Sequence, residues 1–140
     1  MTFLLDTNVV SEWVKQRPNS GVVRWLAEID EDRVFLSVVT LAELRHGIGR
    51  LPDGARRRGL DAWLRHDLPQ RFEGRLLSVD PRIADRWGEV VARRKAVGRP
   101  IDIMDAFIAA TAIVHELALV TRNTADFKPT VEQIVNPWGD

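Results

Sequence analysis

Four short apolar runs recur along this chain, with a candidate fifth near its end. Each is separated from the next by a stretch of helical periodicity rather than by a hairpin turn. The runs are Phe3-Leu4-Leu5, Val34 to Ser37, Leu76 to Val79 and Leu117 to Thr121, followed by Gln133 to Val135. Strands joined through helices are linked by right-handed crossovers and lie parallel. The pattern therefore predicts an α/β sandwich with a mainly parallel sheet of four or five strands, flanked by helices. In such sheets ligands bind outside the carboxyl ends of the strands, where the strand order reverses. That rule says where the chemistry should lie.

The helical stretches carry their own punctuation. Asn8 to Lys15 reads as helix and is stopped by Pro18; Asn19 or Ser20 caps the next, with Val22, Val23, Leu26 and Ile29 on one stripe. Thr40 to Arg50 is helical up to the turn Pro52-Asp53-Gly54. Arg56 to Arg71 reads as one amphipathic helix, with Leu60, Trp63, Leu64 and Leu68 facing inward. Asp80-Pro81 opens a helix that closes at Gly98, and a last one runs from Asp102 to Glu116. No repeat or linker divides these elements, so residues 1–140 are expected to form one domain.

Composition removes several classes of protein. Cysteine is absent, which excludes disulfides, thiolate zinc sites and cysteine nucleophiles. The longest apolar run, Ala106 to Val114, falls far short of the ~20 residues that span a bilayer. The N-terminus carries Asp6 and no basic region ahead of an apolar stretch, unlike a signal peptide. A cytoplasmic protein without a membrane segment is expected. Net charge is zero, so no whole-molecule attraction to a polyanion exists. Yet 17 of the 20 basic residues are Arg, the residue suited to bidentate phosphate contacts. Clusters at Arg56-Arg57-Arg58 and Arg93-Arg94-Lys95 are either solvated helix faces or places where phosphates are held.

Several oxygen-bearing residues fall where the sheet rule looks. Asp6 follows the first apolar run and either caps the next helix or faces a site. Asp105 lies in a helix that is apolar nearly all round, where a carboxylate demands a cationic partner, an Arg or a metal. Asp102, three residues earlier, is read as an N-terminal cap. Thr40 and Glu43 fit a capping box, while the other reading turns Glu43 toward the sheet end near Asp6. Asn123 and Asp126 follow the strand ending at Thr121 and form a polar turn or complete the group. Hard oxygen donors without a Cys or His pair select Mg²⁺ or Mn²⁺ over zinc. His46, His66 and His115 show no metal-binding spacing and are read as surface or packing residues. No nucleophile elbow or phosphate-binding glycine loop is present. An aspartyl-phosphate phosphatase also starts strand–Asp but wants a second acid at position 8, which is Asn.

Leu4-Leu-Asp-Thr-Asn8, Ser37-Val-Val-Thr-Leu-Ala-Glu-Leu-Arg45, Asp105-Ala-Phe-Ile-Ala-Ala-Thr-Ala112 and Thr121-Arg-Asn-Thr-Ala-Asp-Phe127 occur in this order, with Asn136-Pro-Trp138 near the end. In these segments the chain resembles the PIN-domain ribonucleases, specifically the VapC/FitB-like toxins of prokaryotic toxin–antitoxin pairs. The resemblance implies a PIN-like three-layer sandwich and a Mg²⁺- or Mn²⁺-dependent endoribonuclease. It further implies a homodimer or higher assembly, a cognate VapB/FitA-like antitoxin as inhibitor, and operator DNA reached only through that antitoxin. The family's catalytic acids fall on Asp6, Glu43 and Asp105, with Asp6 and Asp105 as metal ligands. Its fourth acidic position falls on Asn123, a neutral residue, and its orienting hydroxyls on Thr7 and Thr121. A rival of another class is a silent PIN-like module that acts only by binding antitoxin. Trp13 and Trp25, set among aliphatic residues, are either core or a groove for an antitoxin helix.

Overall fold

The computed structural model describes residues 1–139. Strands β1 (Phe3–Leu5), β2 (Val34–Ser37), β3 (Leu76–Leu77), β4 (Ala118–Val120) and β5 (Ile134–Val135) form one sheet in the order β3-β2-β1-β4-β5. Every neighbouring pair is parallel, with Leu4 opposite Phe35 on one side and Leu119 on the other. The chain builds outward from β1 to β3, then crosses back to add β4 and β5 on the other side. The order therefore reverses at β1, which makes its carboxyl end the switch point of the sheet.

Helices α1 (Thr7–Glu12), α2 (Ser20–Glu28), α3 (Val38–Gly49), α4 (Ala55–Ala62), α5 (Leu68–Arg71), α6 (Pro81–Ala96), α7 (Ile103–Val114) and α8 (Thr124–Phe127) connect the strands. Alternation along β1 divides the core in two. Phe3 and Leu5 join Val9, Val10, Val22, Leu36, Leu68 and Phe72 on one face of the sheet. Leu4 joins Val39, Ile108, Ala109, Leu119 and Phe127 on the other. Both faces are covered, giving the three layers expected and explaining why β1 is apolar without alternation. Trp25 meets Phe3 edge-on at 5.2 Å and Trp13 tilts against Phe72 at 5.9 Å, so both indoles pack on the core while staying partly exposed. Among the described residues no helix is long and apolar enough to cross a membrane.

Some elements differ from the sequence expectation, each for a local reason. The helix expected over Arg56 to Arg71 is interrupted by a π turn at Trp63–Asp67. Pro69 lacks an N–H, and its ring would clash with the carbonyl one turn back. The chain widens there, and the Leu68 N–H reaches the Trp63 carbonyl instead. α1 stops at Glu12 rather than Lys15, because Glu12 turns inward, pairs with Lys15 and accepts the Asn19 N–H at 2.8 Å. The third strand ends at Leu77 rather than Val79. The segment after Thr121, read as a polar turn, winds into the short helix α8.

Candidate active site

The residues at the carboxyl ends of β1, β2 and β4 converge. The Asp6 N–H donates to the Val120 carbonyl at 2.9 Å, so pairing with β4 extends one residue past β1 before the chain turns into α1. Oδ1 of Asp6 accepts the Thr7 N–H at 2.8 Å and Oδ2 accepts the Thr121 hydroxyl at 2.8 Å. The residue is 4% exposed. Capping and site-facing are thus both true of this one side chain. Burial raises its pKa against the lowering effect of the Thr121 and Thr7 hydrogen bonds.

Glu43 reaches the same place from α3. That helix is capped by Ser37, whose Oγ accepts the Val39 N–H at 3.0 Å. Thr40 therefore lies inside the helix, and the capping box with Glu43 does not form. Oε1 of Glu43 instead accepts the Thr7 hydroxyl at 2.7 Å, while Thr7 Oγ1 also lies 3.3 Å from Thr40 Oγ1. Burial pushes the Glu43 pKa up, the Thr7 bond holds it back, and the charges of Asp6 and Asp102 push it further.

Asp105 stands in the first turn of α7. Asp102 caps that helix, accepting the Met104 and Asp105 N–H groups at 3.1 and 3.3 Å. Asp105 is half-buried rather than enclosed, because α7 keeps one face in solvent, where Ile103 is 62% exposed. Its pKa is raised from 3.8 to about 7, first by burial and then by the charges of Asp6, Asp102, Glu43 and Asp126. Five carboxylates thus share one field.

Thr121 organises the floor of this group. While donating to Asp6, its hydroxyl accepts the Asn123 N–H at 3.0 Å and lies 3.5 Å from Asn8 Nδ2. Asn8, weighed in the sequence only as the missing second acid of a phosphatase, borders the same group. Its Oδ1 is sealed from solvent and has no donor among the described residues. Asn123 occupies the N-cap of α8 but is exposed, and its side chain makes no capping bond. Three residues on, Asp126 contributes its charge to the field on Asp105. His46 and His66 are exposed and His115 is partly buried, as expected of surface and packing residues.

Among the described residues no Lys, Arg or His lies within ion-pair distance of Asp6, Glu43, Asp102, Asp105 or Asp126. The Arg partner considered for Asp105 is not there. Clustered carboxylates and an orphaned amide oxygen, without sulfur or imidazole, fit a hard divalent cation. Among the described residues no group of three acidic or histidine side chains closes a ready-made cage. Each Asp6 oxygen accepts one donor and keeps a second lone pair.

The chain is similar in sequence and fold to known proteins. The family model for the PIN domain matches residues 3–130. The chain is 38% identical over 137 residues to Toxin FitB of Neisseria gonorrhoeae, covering 98% of this chain and 99% of that protein. It is 35% identical over 135 residues to VapC ribonuclease Y4jK of Sinorhizobium fredii, covering 96% of each. A solved structure of FitAB bound to an IR36 DNA fragment superposes with a TM-score of 0.92 at 34% identity, covering 99% of this chain and 97% of that one. The acidic group at the sheet switch point and the matched residues together establish that this chain belongs to the PIN domain family.

Proposed function

We propose that this protein is a Mg²⁺- or Mn²⁺-dependent endoribonuclease, the toxin of a toxin–antitoxin pair, which hydrolyses RNA phosphodiester bonds in the cytoplasm. The observation that carries this reading is the meeting of Asp6, Glu43 and Asp105 at the switch point, with no Lys, Arg or His within ion-pair distance of them among the described residues. Asp6 and Asp105 would hold a divalent cation, which would supply positive charge toward the scissile phosphate and lower the pKa of bound water. Glu43, held by Thr7, is the carboxylate that accepts a proton from the attacking water. Thr121 fixes the rotamer of Asp6, and Thr7 fixes that of Glu43, so neither carboxylate must reorganise when substrate arrives.

The partner in this reading is an antitoxin of the VapB/FitA kind, supported by the likeness to FitB and to FitAB on DNA. Operator DNA is reached through that partner and not by this chain. A groove of about 310 Å³ between α1 and α2, lined by Trp13, Pro18, Val23 and Leu26, offers an apolar seat for a partner helix. Sequencing RNA ends after brief induction tests the catalytic claim. The wild-type chain should create new internal ends and Asp6→Asn should not. Identical ends from both would overturn it in favour of a silent module.

A further inference from the structure

Arg50 closes α3, and the mechanism above does not use it. Glu43 enters the site from the second turn of that helix, held by Thr7. Residues three, four and seven places further along a helix share one face. Here they are His46, Gly47 and Arg50. All three are exposed, and the helical backbone persists through Arg50, the C-cap. The flank that begins at Glu43 therefore leaves the site along the surface of α3 and meets no second carboxylate.

The charge on this flank is not consumed within the chain. Among the described residues Arg50 makes no ion pair. Arg45, the other arginine of α3 before the cap, lies on the opposite flank and is paired with Asp61, which also holds Arg65. Between Glu43 and Arg50, Gly47 leaves the helix backbone bare, and a Cβ there would meet nothing within 4 Å. A chain lying along the flank can thus approach the backbone closely. Seven residues carry Arg50 about 10 Å beyond Glu43 along the helix axis. A phosphate on its guanidinium therefore belongs to a flanking nucleotide and not to the bond being cleaved.

We infer that the flank of α3 formed by His46, Gly47 and Arg50 is the path by which one arm of single-stranded RNA leaves the site. Arg50 holds a flanking phosphate there, and Gly47 keeps the path open. Charge complementarity makes the occupant a polyanion, and continuity with Glu43 makes it the substrate. The inference rests on the ribonuclease reading given above. An acidic centre repels a phosphate chain, so a cation just outside it is where the chain can be gripped, and a guanidinium grips phosphate bidentately.

Steady-state cleavage of a defined single-stranded RNA in Mn²⁺ tests it in wild type, Arg50→Gln, Gly47→Gln and Arg45→Gln. Arg50→Gln should raise KM about tenfold, as loss of one charge-assisted contact does. It should also reduce the slope of log KM against log salt by about 0.7. Gly47→Gln should raise KM by a similar factor by standing in the path, while melting no lower than wild type, because glutamine is the better helix former. In both, the loss should fall on KM rather than kcat, since neither residue touches the reacting atoms. Arg45→Gln removes the same charge from the opposite flank and should leave KM unchanged. An unchanged KM or salt slope in Arg50→Gln, or an equal rise of KM in Arg45→Gln, would overturn the inference. So would intact RNA turnover with weakened binding of a cognate antitoxin, which would give this flank to the partner protein. A wild-type chain that cleaves no RNA would overturn the ribonuclease reading itself; wild-type cleavage that Arg50→Gln and Gly47→Gln leave unaltered would overturn only this inference.

Discussion

Asp105 is the residue on which the electrostatics of the site concentrate. Its folded pKa of about 7 lies above the ordinary 3.8, so the folded chain holds that proton more tightly than the unfolded chain. Proton binding at Asp105 therefore stabilises the metal-free fold. Its contribution grows as pH falls from about 7 toward 3.8 and is level outside that window. Melting curves in chelator should show Asp105→Asn more stable than wild type near and above pH ~7, with the difference shrinking toward acid. A constant difference across pH would mean that Asp105 is not the group responsible. A divalent cation should reverse the order. At a hundredfold excess over Kd, binding to the folded state adds about 2.7 kcal/mol, which wild type should gain and Asp105→Asn should largely lose. Thr121 is the complementary case. Thr121→Val keeps the buried volume but strips Asp6 Oδ2 and the Asn123 N–H of their partner. Denaturant unfolding should register a loss of about 1–3 kcal/mol.

At the scale of elements, what decides the outcome is how each segment is terminated. Helix periodicity and caps locate α2, α6 and α7 from sequence because Asn19, Asp80 and Asp102 are N-caps in fact. The true cap of α3 lies three residues before the expected one, and the difference is chemically important, since a Thr40 cap would have occupied Glu43. The π turn and α8 are not legible in sequence. The first depends on how Pro69 is relieved, and the second is held by Arg94 from another element. Gly21 gives a test of α2. A Cβ there would stand 2.4 Å from the Pro137 carbonyl oxygen, a backbone atom that cannot rotate away. Gly21→Ala should therefore destabilise the chain by about 1–3 kcal/mol despite its better helix propensity, as read by thermal or denaturant melting. On α4, Arg57 is occupied by the Leu51 carbonyl at 3.1 Å and by Asp53 at 3.6 Å, whereas Arg56 and Arg58 are exposed. If this helix holds RNA, replacing Arg56 and Arg58 should reduce the salt slope of binding by roughly 0.7 for each phosphate that is no longer neutralised. An unchanged slope would move the RNA track elsewhere.

For the molecule as a whole, the order of apolar runs and helices already carries the parallel sheet, and the sheet rule then points to Asp6. Glu43 and Asp105 are also visible in the sequence, but each has a bland reading that only tertiary structure removes: Thr7 reaches Glu43 across 36 residues, and among the described residues no Arg lies within ion-pair distance of Asp105. Asn8 is not legible as a site residue because a buried acceptor without a donor is a property of packing, not of spacing. With zero net charge, substrate attraction must come from local Arg groups set against an acidic centre. The central claim is that these carboxylates form a metal-dependent ribonuclease site. The measurement that tests it most directly is cleavage of a defined RNA by purified protein, first in chelator and then with Mg²⁺ or Mn²⁺ restored, beside Asp6→Asn and Asp105→Asn. A metal-dependent site of this kind gives no cleavage in chelator, recovery with either ion in wild type, and no recovery in either variant. Cleavage that persists through exhaustive chelation, or that survives loss of Asp6 or Asp105, would contradict it.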